Sequence, residues 1–264
     1  MEEVIEQVIR AYFPDELADP EAFADWCEPL RQKANPEAAN LLSKLETSLD
    51  SIKSDCQDAD RSGRDFWELF GGAERLVKSA ASIRSKLARD LHAEQSDGKS
   101  DATKQTVEQL ADRVYGFSDL GRIRIVADFP SDVSCLQKKL FEEKKFLGVY
   151  LCPNGIKDFV FDPKLRNGLK GHRARQFSAR VRIDSSTGFG FEVQLMTRLQ
   201  HAWDRRNHPL YEWQREHPDW QKIPNAVQLA VDDFACAEAL HLVDRQADMN
   251  WQRLKEEFIE RRRS

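Results

Sequence analysis

The run Phe191–Trp203, FEVQLMTRLQHAW, changes its period partway along. Phe191, Val193 and Leu195 alternate with Glu192 and Gln194, which is the two-residue repeat of a strand with one apolar and one polar face. From Thr197 the run reads as a helix carrying Gln200, His201 and Trp203. A fold that accepts this run needs a sheet with a core on one side and a helix leaving the end of one strand. The other side then presents a carboxylate and an amide close to a histidine at a helix start. That arrangement suits a magnesium–phosphate site, and an edge strand with a solvated polar face satisfies the same pattern.

Composition narrows the classes. The chain has 264 residues, 32% of them charged, and a mean hydropathy of −0.64, as expected of a soluble protein. Its 15 Phe and 6 Trp can still anchor a sizeable core. No apolar run approaches the ~18 residues of a membrane span, and MEEVIEQVIR lacks the apolar stretch of a secretion signal. The cytoplasm is the expected location. Cys27, Cys56, Cys135, Cys152 and Cys236 have neither C-x-x-C nor zinc-ligand spacing, so they read as reduced, mostly buried thiols. Net charge is −5, yet Lys164, Arg166, Lys170, Arg173, Arg175, Arg180 and Arg182 form a basic stretch just before the Glu192 strand. An anionic ligand at their shared surface would suit that charge.

Helical patterns occupy the first 90 residues or so. Asp19-Pro20 and Asn35-Pro36 each read as a cap followed by a first-turn proline. Gly71-Gly72 breaks the chain before a helix from about Glu74 to Leu91, and the polar residues 92–107 read as a loop. Strands are expected at 123–126, 146–151, 157–161, 177–183 and 189–195, with a helix from Val133 to about Lys144. Helices resume at Thr197, with interruptions expected at Pro209, Pro218 and Pro224. Trp251, Leu254 and Phe258 are expected to pack on the core. The class is α+β: a mixed central sheet of about five strands between helical caps. The divisions are an N-terminal helical region (1–70), a core (71–215) and C-terminal helices packing on it (216–264).

Asp119 precedes one strand and Glu192 lies within another, so the two carboxylates can share one Mg²⁺. Lys78, Arg84 and Lys86 on one helix could hold a triphosphate. These parts suit phosphoryl or pyrophosphoryl transfer, which depends on positioning and charge neutralisation. A P-loop, a G-x-G-x-x-G turn and a G-x-S-x-G elbow are all missing from the sequence.

Four motifs together resemble the synthetase domain of the RelA/SpoT family, the alarmone synthetases, and within it the small single-domain members and their toxin relatives. They are Lys78-Ser79 with Ser82-Ile83 and Lys86; Asp119-Leu120 with Arg124-Ile125; Lys157-Asp158-Phe159-Val160 with Pro163-Lys164; and Glu192-Val193-Gln194-Leu195-Met196-Thr197 with His201 and Trp203. They occur in the family's order across residues 75–211. The resemblance implies a nucleotidyltransferase-like synthetase fold and transfer of pyrophosphate from ATP to the 3′-hydroxyl of a nucleotide. It implies Asp119 and Glu192 as catalytic carboxylates holding Mg²⁺, with Glu192 alternatively deprotonating the acceptor. Lys78, Ser82, Lys86 and Arg124 would contact ATP, and Arg84 is a candidate for stacking on adenine. Lys164, His172, Arg173, Gln176, Gln194 and His201 would face the acceptor.

The chain departs from the family at several positions. Leu76 replaces an arginine, Arg122 stands where the motif has glycine, and Met196 replaces another arginine. His172 and Gln176 take the places of the acceptor loop's tyrosine and histidine. The acceptor therefore stays open among GDP, GTP and adenine nucleotides. A toxin-like action on tRNA 3′ ends and an inactive nucleotide-binding or regulatory module are the alternatives. A homo-oligomer or antitoxin partner would suit the N-terminal helices, and no membrane partner is expected.

Overall fold

The computed structural model describes residues 2–56, 67–70, 76–96, 104–142, 145–159, 174–217 and 219–263. Helices α1 (Glu2–Tyr12), α2 (Pro20–Cys56), α3 (Ala80–Ser96), α4 (Val107–Gly116), α5 (Pro130–Leu140), α6 (Arg198–Glu216) and α7 (Pro224–Arg263) surround strands β1 (Trp67–Phe70), β2 (Gly121–Ala127), β3 (Phe141–Glu142), β4 (Lys145–Phe146), β5 (Val149–Asp158), β6 (Arg175–Arg182) and β7 (Gly188–Thr197). The sheet has seven strands in the order β1-β2-β7-β6-β5-β4-β3. Among the described strands, only the β2–β7 pair is parallel. The α+β class with a mixed sheet therefore stands, with seven strands in place of about five.

The additional strands are short. Trp67–Phe70 has four residues, too few to display a period, and pairs with the edge of β2. The expected 146–151 strand is split by a turn in which Leu147 and Gly148 both have positive φ, 49° and 80°. Two consecutive left-handed residues match the right-handed twist of a tight hairpin, so β4 folds back on β5.

Several helix boundaries also differ from expectation. Asp19 caps α2, its Oδ1 accepting from the amides of Glu21 and Ala22. Asn35-Pro36, however, starts no new helix: α2 continues through Pro29 and Pro36. Ala34, Ala38, Leu41, Leu45 and Leu49 bury one stripe across that point, and this packing overrides the local break signal. Helix α6 also passes through Pro209, where its residues are exposed or half-buried, whereas Pro224 does open α7. Helix α3 starts six residues later than expected and takes in 92–96, read above as loop. Gly71-Gly72, Phe161 and Pro218 lie outside the described residues.

A single apolar core joins α1 through β7, and Trp67 and Leu69 pack against it. Strand β7 is buried along its whole length, with Phe189, Phe191, Val193 and Leu195 facing this core. Gly190 allows a close approach: a Cβ there would lie 2.3 Å from the Phe117 carbonyl oxygen and 2.4 Å from Ser118 Cα. The Gly190 amide donates to that carbonyl at 3.0 Å, tying the chain ahead of β2 to β7.

Helix α7 fastens the other end of β7. Thr197, the last residue of the strand, caps α6 by accepting from the Gln200 amide, while its hydroxyl donates to Asp244. One turn on, Asp248 accepts from the amide and hydroxyl of Ser131 at the start of α5. Asp248 thus lies at the N-terminus of α5, where negative charge is favoured. Trp251 stacks on Phe129, but Leu254 is exposed, which corrects its expected place in the core. Of the cysteines with described side chains, Cys27 is buried, whereas Cys135, Cys152 and Cys236 are half-buried rather than mostly buried as expected. No described helix is long and apolar enough to cross a membrane.

Candidate active site

The side of β7 away from the main core carries Glu192, Gln194 and Met196, and register selects their neighbours. Arg122 of β2 stands opposite Glu192, and Arg124 opposite Gln194. On the other flank, Ser178 and Gln176 of β6 oppose Glu192 and Gln194. Lys157 of β5 opposes Gln176 and continues that row. Opposed residues share a face, so these strands present one polar surface.

Asp119 is delivered to this surface by the turn between α4 and β2. The segment before α3 runs beside the same turn, with Lys78 N donating to Leu120 O and Arg122 N to Leu76 O, both at 2.9 Å. Asp119 accepts from Lys78 Nζ at 2.6 Å and from Lys86 Nζ at 2.9 Å, one lysine on each carboxylate oxygen. The Arg122 guanidinium reaches Asp119 Oδ2 at 3.3 Å and, through Nε, Glu192 Oε1 at 2.9 Å. The Nε–H is not aimed at the Glu192 oxygen, so the second contact is charge attraction without a hydrogen bond. One guanidinium therefore touches both carboxylates.

Gln194 Nε2 donates to Glu192 Oε1 at 2.8 Å, Arg124 Nε donates to Gln194 Oε1 at 2.7 Å, and the far end of Arg124 pairs with Asp204 of α6 at 2.7 Å. A continuous polar chain thus runs from α3 through four strand residues, Arg122, Glu192, Gln194 and Arg124, to α6. Linked networks of this kind hold side chains in place before a ligand arrives.

The charges set the protonation states. Burial works to raise the Asp119 pKa, but the charges and hydrogen bonds of Lys78 and Lys86 outweigh it and hold the carboxyl well below its ordinary value. Burial pulls Lys78 below the ordinary lysine value, with the Asp119 carboxylate opposing that shift. Burial first, and the Arg124 charge second, lower the His201 pKa. His201 lies on Phe70, their ring centroids 4.2 Å apart.

The structure brings Asp119, Glu192, Lys78, Lys86, Arg124 and Gln194 together, with Gln176 on the same surface. Ser82 is exposed on the first turn of α3, where its amide donates to the capping Ser79 hydroxyl. Arg84 corrects its expectation. Its guanidinium binds both carboxylate oxygens of Glu6, at 2.8 and 3.3 Å, and the Ala18 carbonyl at 2.7 Å. It fastens α3 to the N-terminal helices and does not stand ready to stack on adenine. Lys164, His172 and Arg173 lie outside the described residues. Met196 is buried with Val126 and Ala174 against Phe70, an apolar patch beside the polar row. Sequence reasoning missed Arg122 and Asp204 as site residues. The Arg122-Ile123-Arg124 alternation carried the signal for the first, and no local signal marks the second.

The described residues contain no group of three or more His, Cys, Asp or Glu able to hold a metal by themselves. The oxygen donors Asp119 and Glu192 nevertheless fit a hard divalent cation. A single guanidinium already touches both, and Mg²⁺ draws its remaining ligands from water and phosphate.

No protein-family model and no curated protein matches the sequence. Solved structures do match. The small alarmone synthetase 1 of Bacillus subtilis bound to its product pppGpp aligns at a TM-score of 0.53 and 17% identity, over 88% of this chain and 97% of that one. The small alarmone synthetase 2 of Bacillus subtilis gives 0.53 and 17%, over 83% and 97%. A GTP pyrophosphokinase family protein from Streptococcus pneumoniae gives 0.51 and 19%, over 84% and 92%. At such identities the likeness establishes architecture, and the chain has the fold of the small alarmone synthetases.

Proposed function

We propose that the protein is a Mg²⁺-dependent pyrophosphokinase of the RelA/SpoT type, moving pyrophosphate from ATP to the 3′-hydroxyl of a nucleotide. The observation that carries this reading is the joining of Asp119 and Glu192 through Arg122, with Lys78 and Lys86 converging on Asp119. The fold supports it, since one similar structure holds pppGpp as its product.

Asp119 and Glu192 would hold Mg²⁺, which when bound neutralises phosphate charge and orients the transferring group. Lys78, Lys86 and Arg122 lie where they would take up phosphate oxygens. In the step itself the acceptor 3′-oxygen bonds to the β-phosphorus, the bond from that phosphorus to the α-phosphate oxygen breaks, and AMP leaves. The hydroxyl proton passes to Glu192, whose carboxylate Gln194 holds in orientation. Arg124, fixed by Gln194 and Asp204, contacts the donor nucleotide. Gln176 and His201, and in the sequence Lys164, His172 and Arg173, are the proposed contacts to the acceptor.

The test is a transfer assay with γ-labelled ATP, Mg²⁺ and, in turn, GDP, GTP, ADP, ATP, AMP and deacylated tRNA. Label on a nucleotide 3′-hydroxyl is the expected result, and label on tRNA alone would select the toxin-like alternative. No transfer to any acceptor would overturn the enzymatic reading.

A further inference from the structure

We infer that Arg122 is a built-in occupant of the cation seat between Asp119 and Glu192, and that a divalent metal must displace it to bind. The inference rests on the metal assignment above. It adds a positioning role for a residue outside the expected site, and a reason for the site to stay closed to metal until a ligand loads it.

Three observations carry it. First, Arg122 is placed by sheet register: it stands directly opposite Glu192 in the parallel β2–β7 pair, so backbone hydrogen bonds hold its Cα beside that carboxylate. Second, among the described residues its guanidinium is the one group in contact with both carboxylates, at 3.3 Å from Asp119 and 2.9 Å from Glu192, whereas both lysines contact Asp119 and not Glu192. Third, the seat is already balanced by cations. Lys78, Lys86 and Arg122 contact its two carboxylates, +3 against −2, and even with the Asp90 carboxylate near Lys86 counted the cluster carries no net negative charge. At an effective dielectric near 20, two unit charges ~4 Å apart interact by ~4 kcal/mol, so a dication added beside Arg122 meets strong repulsion. Movement of Arg122 relieves it. The side chain is 41% exposed, against 20% and 23% for Lys78 and Lys86, so of the three cations it has the freest way out. The phosphates of a bound nucleotide supply an alternative partner for the displaced guanidinium. Metal and nucleotide would then load together.

The experiment titrates the full chain with Mn²⁺ alone, with no nucleotide present, following free Mn²⁺ by electron paramagnetic resonance. Arg122→Ala is expected to bind Mn²⁺ about tenfold more tightly than the wild type. Arg182→Ala removes an equal charge from the exposed end of β6 and is expected to change affinity less than twofold. Adding Asp119→Asn to Arg122→Ala should abolish the tight site. In parallel, Mg²⁺ should shift the Arg122 Nε–H resonance of the wild type, identified by its loss in Arg122→Ala. Unchanged or weakened Mn²⁺ binding in a folded Arg122→Ala would overturn the inference. So would an equal gain in Arg182→Ala, or an Arg122 resonance that ignores saturating Mg²⁺. Neither readout involves turnover, so a failed transfer assay and a failed displacement are separate results.

Discussion

The two sides of β7 are equally buried and are built on opposite terms. One presents Phe189, Phe191, Val193 and Leu195 to the main core; the other presents Glu192 and Gln194, with exposures of 7% and 3%. The apolar side gains stability from area removed from water, wherever the side chains fit. The polar side gains nothing comparable, because its groups surrender water and recover only what their partners return. The linked partners from Lys78 to Asp204 return most of what burial removes, although the buried Arg122 Nε–H has no hydrogen-bond partner. A protein keeps such a row for what it binds, while the opposite row keeps the strand in place.

That contrast can be broken from either side. The largest expected effect is on the polar row: Glu192→Gln and Asp119→Asn should each lower transfer by about 10³-fold or more. Asp119→Asn should also lower the unfolding midpoint, because Lys78, Lys86 and Arg122 lose their shared carboxylate. Near-wild-type rates in either would place the chemistry elsewhere. On the apolar row, Phe191→Ala should cost about 3–5 kcal/mol in a denaturant titration and leave the rate per folded molecule close to normal.

The strand's end gives a subtler test. Burial, and more weakly the charge of Asp248, push the Asp244 carboxyl up to about 6, with the Thr197 hydroxyl opposing. A carboxyl whose folded pKa lies above its unfolded one holds its proton longer in the native state. Its contribution to stability is complete below the unfolded pKa and is lost as pH rises through 6. Asp244→Asn should therefore flatten the stability profile between pH 4 and 6, and raise stability at pH 7 by on the order of 2–3 kcal/mol. An unchanged profile would remove Asp244 as its source. The smallest effect belongs outside both rows. Arg84→Ala should cost about 1–2 kcal/mol through loss of the Glu6 and Ala18 contacts, with the KM for ATP within about twofold of normal. A tenfold rise in KM would return Arg84 to the nucleotide.

The strand–helix switch at Thr197 was legible because alternation and capping are local, and Thr197 does cap α6. Asp119 was legible from its motif. What escaped depended on partners distant in sequence. Arg84 meets Glu6, 78 residues away, and nothing around either residue announces it. Arg122 lay in plain view within an alternating strand, but its role depends on parallel pairing with β7 in a register that only the sheet fixes. The prolines misled in the other direction: their break signal in α2 is real and is overruled by a buried stripe contributed by the rest of the fold.

Gly190 bears on all of this through its missing methyl group. The backbone of Phe117 and Ser118, in the turn that delivers Asp119, fills the space where a side chain would begin, two residues before Glu192 on β7. The gauge between the two carboxylates is thus set by the thickness of a hydrogen atom. An alanine at 190 would act as a shim, prising the turn from the strand and widening the gap that the proposed metal would have to span, with every charged residue still in place.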